Sequence, residues 1–86
     1  MTKKTVTIGL EGGLDATPIA LLVQRASQFE SSIYGEDTNQ RKVNAKSIMG
    51  MMSLGVDKGD TVTISAEGAD EEAAVNSIAE YLSNGQ

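Results

Sequence analysis

Cysteine and histidine are both absent from this chain. Without thiols there is no disulfide framework and no thiolate chemistry. Without imidazole the commonest general base and metal ligand is gone as well. Tryptophan is missing, and two tyrosines and one phenylalanine make up the whole aromatic complement. Direct nucleic-acid binding usually needs a basic face with aromatic or arginine contacts, and a net charge of −5 with so few rings argues against it. The longest aliphatic run, Ile19 to Val23, is far too short to span a bilayer. The opening MTKKTVTIGL passes from lysines into alternation, not into an apolar signal core, so cytoplasmic residence is expected. No glycine-rich phosphate loop followed by lysine and no cluster of metal ligands is present, so neither a metal nor a cofactor is expected and an enzyme is disfavoured.

The chain that remains has 86 residues, 40% of them apolar. One domain of this length buries about 60–65% of its extended surface, enough for a single core. Charge is uneven along it. Residues 1–56 hold six basic and five acidic side chains, whereas residues 57–86 hold one basic and seven acidic.

Residues 4–10 alternate, with Val6, Ile8 and Leu10 against Thr5, Thr7 and Gly9, which predicts a half-buried strand. Glu11-Gly12-Gly13 breaks it. Ala16-Thr17-Pro18 opens a helix, where proline is tolerated in the first turn. Ile19, Leu22, Val23 and Ala26 supply the helix's apolar stripe to about Gln28. Ser31–Asp37 and Arg41–Val43 read as a hairpin turning at Thr38-Asn39-Gln40. Thr61–Glu67 alternates again, and Gly68 ends it. Asp70 is placed to cap a last helix, with Glu71 and Glu72 on its dipole and Ala74, Val75, Ile78, Ala79 and Leu82 as its core face. The order strand, helix, strand, strand, helix, strand, helix predicts an α+β domain over residues 1–86, its sheet covered on one face.

The stretch from Lys42 to Gly55 is the most informative. Ser47 precedes the apolar run Ile48, Met49, Met51, Met52, Leu54, and Gly55 suits a left-handed helix stop, so a two-turn helix capped by Ser47 is expected. Met51 and Leu54 point one way, while Ile48, Met49 and Met52 cover the other side. Two readings stay open. One is a core helix with Met as filler; the other is an apolar surface beside a hydroxyl at the positive end of a helix. Arg41, Lys42 and Lys46 are either a solvated basic edge or a set that holds a phosphate or meets an acidic partner.

Residues VNAKSIMGMMSLGV closely resemble the regulatory-serine segment of the HPr family, small phosphocarriers of the bacterial sugar phosphotransferase system (PTS). A second family signature, glycine, a hydrophobic residue, then His-Ala-Arg-Pro-Ala, reads here Gly13-Leu14-Asp15-Ala16-Thr17-Pro18-Ile19. Asp15 stands in the place of the phosphoryl-accepting histidine and Thr17 in that of the assisting arginine. The resemblance covers essentially the whole chain. It implies an HPr-like open-faced sandwich, a four-stranded antiparallel sheet under three helices. It further implies phosphorylation of Ser47 by HPr kinase/phosphorylase. The phosphoserine form would then bind a LacI-type repressor, catabolite control protein A, through Ile48, Met49, Met52 and Lys46. Members lacking the active histidine, the catabolite-repression HPr (Crh) type, keep only this regulatory half, and the chain resembles them.

For the degenerate site of Asp15, Thr17 and Pro18, three roles stay open: a helix cap, a fixed negative charge recognised by a partner, and phosphoryl transfer. The competing functions are therefore a regulatory module switched at Ser47, a phosphocarrier acting through Asp15 with other phosphotransferase-system proteins, and an adaptor for an unrelated partner. An edge strand or a swapped first strand would allow a homodimer.

Overall fold

Each apolar pattern finds its place in a computed structural model that describes residues 1–85. Along the chain run β1 (Thr2–Thr7), α1 (Ala16–Ala26), β2 (Ser32–Glu36), β3 (Lys42–Asn44), α2 (Ile48–Met52), β4 (Thr61–Glu67) and α3 (Glu71–Asn84). The four strands form one antiparallel sheet in the order β1-β4-β2-β3. Val6 pairs with Val62, and Ile33 with Ala66, so one face of the sheet carries the apolar set. Helix α3 lies over β1 and β4, and α1 packs between α3 and α2. The expected α+β open-faced sandwich is the fold observed.

The core is built from the predicted stripes. Ile19, Leu22 and Ala26 of α1 are buried with Val62, Ile64 and Ala66 of β4 and with Ala74, Val75, Ile78 and Leu82 of α3. Each large aliphatic chain so buried contributes about 1.5–3 kcal/mol. The seam between the two long helices is closed by polar contacts at its margin. The Tyr81 hydroxyl donates to the Pro18 carbonyl at 3.3 Å, and the Arg25 guanidinium lies 5.1 Å from the centre of the Tyr81 ring.

Three local expectations are corrected. The first strand spans Thr2–Thr7, not residues 4–10. Ile8 and Gly9 stay buried or bonded, but their partners lie outside the sheet: Ile8 N–H donates to the Asp60 carbonyl at 2.8 Å and Gly9 N–H to the Leu82 carbonyl at 2.9 Å. Helix α1 ends at Ala26, short of Gln28, where the Ser27 hydroxyl turns back to the Val23 carbonyl at 2.8 Å. Asp70 holds the N-cap position of α3 without capping it. Its carboxylate instead accepts from the Glu30 and Ser31 N–H groups, both at 3.0 Å, and from the Ser31 hydroxyl. An expected local cap is thus a long-range brace.

Candidate functional site

Helix α2 is five residues long, too short to hold itself, and is seated by its underside. Met51 is fully enclosed and Leu54 is 7% exposed. Both sit over Gly35 of β2, whose missing Cβ would lie 3.5 Å from the Met51 sulfur. The upper side faces outward: Ile48 is 45%, Met49 80% and Met52 51% exposed. These three and Met1 and Leu21 are the exposed large apolar side chains among the described residues. The division into a buried and a bare face is the one the spacing predicts, so the helix is core filler on one side only.

Ser47 caps this helix. Its backbone is extended, at φ −115° and ψ 119°, and its hydroxyl accepts from the Gly50 N–H at 3.2 Å. The residue is half-buried, with the bare side chains of Ile48 and Met49 immediately following. The helix falls short of the expected two turns: Ser53 is its C-cap, its hydroxyl donating to the Gly50 carbonyl at 2.6 Å, and Gly55, left-handed at φ +61°, lies two residues beyond and is not the stop.

The basic trio is dispersed by the fold. Arg41 donates from Nη1 to the Ser53 carbonyl at 2.8 Å, at the C-terminal end of α2 and away from Ser47. Lys42 places its ammonium 4.6 Å from the centre of the Tyr34 ring. Lys46 donates to the Phe29 carbonyl at 2.7 Å, bracing the turn after α1. Each cation already has a partner, so the three do not form a cradle around the Ser47 hydroxyl. The sequence placed them close together; only the carbonyls and ring brought up by the fold set their directions.

The second site lies at the start of α1. The loop before it is zipped to the loop preceding β4, with Leu14 N–H donating to the Val56 carbonyl at 2.9 Å. Gly13, at φ +73°, passes so close to that loop that a Cβ would sit 2.7 Å from the Asp57 Cα. Only glycine meets both conditions. Lys58 bridges the two loops through Glu11 at 2.6 Å, and its hydrogen bond and charge hold that carboxyl below its usual range. Asp15 is thereby presented as the exposed N-cap of α1, its Oδ1 accepting from the Ala16 N–H at 2.8 Å. Thr17 is exposed in the first turn, and Pro18, third in the helix, gives its carbonyl to Tyr81. Asp15 makes no ion pair among the described residues, and no group of three or more carboxylates suited to a metal is found among them.

Leu21 on α1 is half exposed, an outcome the apolar stripe does not include. Its position off the Ile19–Leu22–Val23–Ala26 stripe was the available signal.

Comparison with known proteins places this architecture. The family model for the phosphotransferase-system HPr component phosphorylation site matches residues 2–84. The HPr-like protein Crh of Bacillus subtilis is 46% identical over 82 residues, spanning 95% of this chain and 95% of that protein. HPr-C-His from Thermoanaerobacter tengcongensis superposes with a TM-score of 0.89 at 51% identity, covering 95% of this chain and 91% of that one. Crh of Bacillus subtilis, described as a swapped dimer, superposes at 0.76 with 46% identity, over 95% of this chain and 93% of its own. With an aspartate where the family signature carries its histidine, and a match along nearly its full length, this chain belongs to the HPr family as an HPr-like protein of the Crh type.

Proposed function

We propose that this chain is a non-catalytic regulatory protein of carbon catabolite repression, working in the cytoplasm. HPr kinase/phosphorylase phosphorylates it on Ser47, and the phosphoserine form acts as corepressor partner of a LacI-type transcription regulator. The observation that carries this reading is the pairing of a half-buried cap hydroxyl with a bare apolar face: Ser47 beside Ile48, Met49 and Met52. Phosphorylation adds about −1.5 to −2 charge at that point. Because Arg41, Lys42 and Lys46 are already engaged within the chain, the phosphate is left for a cation of the partner, while the methionines adapt to its apolar surface. At the other site, Asp15 serves as cap and fixed charge, not as a phosphoryl carrier.

The test is incubation with ATP and HPr kinase/phosphorylase, followed by intact-protein mass spectrometry and repressor binding. One phosphate on the protein, none on Ser47→Ala, and repressor binding by the phosphorylated form alone are expected. Equal phosphorylation of the Ser47→Ala variant would move the site elsewhere.

A homodimer belongs to the same reading. Among the described residues β1 is an edge strand paired with β4 alone, and the swapped dimer described for Bacillus subtilis Crh supports dimer formation here. Light scattering across a concentration series measures it.

A further inference from the structure

Sulfur occurs in this chain only as thioether: there is no cysteine and there are four methionines. Three of these lie in α2, at Met49, Met51 and Met52. The fold splits them sharply, since Met49 is 80% and Met52 51% exposed while Met51 is fully enclosed. Oxidant access is therefore graded along a single five-residue helix.

We propose that Met49 and Met52 are an oxidation site through which peroxide-class oxidants disable the apolar face of α2. The thioether sulfur attacks one peroxide oxygen, the O–O bond breaks, an S=O bond forms and water leaves. Sulfur is oxidised by two electrons and the peroxide is reduced by two, so no further reactant is needed. The product is a strongly polar group on a side chain that was apolar and flexible. Inserted into an apolar contact, its oxygen loses water without gaining a donor, which is the costly case. Met51 is shielded under the helix, so the modification changes the surface and leaves the core intact. The effect on a partner rests on the docking role proposed above; the order of oxidation does not.

The experiment uses the full chain phosphorylated on Ser47, treated with graded hydrogen peroxide. Peptide mass spectrometry, thermal melting and repressor binding are read on the same samples. Met49 and Met52 should oxidise before Met51, with Met1, 59% exposed and far along the sequence on the β1 side, reporting the oxidant dose. Melting should stay unchanged while repressor affinity falls by at least about tenfold, the scale of one unpaired buried polar group. Methionine sulfoxide reductases should restore binding. A Met49→Leu/Met52→Leu variant, close in volume, should show the same affinity before and after peroxide, whatever affinity it starts from. Oxidation of Met51 as fast as Met49, or full binding with both outer sulfoxides in place, would overturn the proposal. Should the reduced phosphoprotein not bind the repressor, the partner assignment falls by itself. The rate of Ser47 phosphorylation by the kinase, which must approach the same face, then decides: slowing with oxidation supports the site and an unchanged rate overturns it.

Discussion

The Ser31 hydroxyl and the Asp70 carboxylate are hydrogen-bonded across 39 residues of sequence, joining the turn after α1 to the first turn of α3. The same carboxylate takes the Ser31 and Glu30 amides, and these donors hold its pKa below the ordinary 3.8, the Ser31 hydroxyl foremost. One residue on, Glu71 accepts from the Thr2 hydroxyl at 2.7 Å and from the Gly68 amide, and lies 3.1 Å from the terminal ammonium. Its pKa is lowered too, chiefly by Thr2.

Acid should therefore loosen the domain at these two carboxylates. A group whose pKa is depressed by folding stabilises the native state above its unfolded pKa and loses that stabilisation as pH falls through the folded one. Melting temperature should be level near neutrality and should drop once pH passes below about 4.5, the ordinary value for a glutamate. Asp70→Asn should lower stability at pH 7 and flatten this acid limb. Melts of both proteins between neutral and strongly acidic pH measure it; an acid limb of unchanged steepness in Asp70→Asn would assign the loss to other groups.

Gly9→Ala should destabilise the fold out of proportion to one methyl group. The added Cβ would lie 2.0 Å from the Ser83 carbonyl oxygen, and backbone on both sides cannot give way. A loss above about 3 kcal/mol, the upper end of ordinary overpacking, is expected. Urea denaturation gives the value.

The two faces of α2 should separate stability from binding. Met51→Ala should cost about 2–5 kcal/mol, as a buried chain leaving a cavity. Met49→Ala should stay within about 0.5 kcal/mol of wild type but weaken binding of the phosphorylated protein to its repressor partner. Denaturant titration and a binding isotherm on each variant check both halves.

Asp15 should stay unlabelled in a sugar-uptake relay. Phosphoenolpyruvate, the first enzyme of that relay and this protein should give no covalent phosphate, since the Asp15 carboxylate is engaged as the cap of α1. Stoichiometric, hydroxylamine-labile labelling at Asp15 would reverse that reading.

Much of this was legible in the residues. The stripe Ala74, Val75, Ile78, Ala79, Leu82 is buried as its spacing predicts, and Ser47 caps α2 as its position before the apolar run predicts. Asp70 misled because an aspartate before a helix has two uses, and which it takes depends on donors delivered from a distant turn. The strand expected over residues 4–10 misled because alternation reports burial, whereas a strand needs a ladder, and beyond Thr7 the bonding partners belong to a loop and to α3.

Periodicity and local turn chemistry act within a few residues, so the sequence by itself determined the elements, the exposed face of α2, the serine at its mouth and the aspartate in place of a histidine. Only the tertiary structure decided where Arg41, Lys42 and Lys46 point, what Asp70 binds and why position 9 must be glycine. Each of those outcomes is set by a carbonyl, a ring or an amide arriving from elsewhere in the chain, and no local pattern encodes the direction from which it comes.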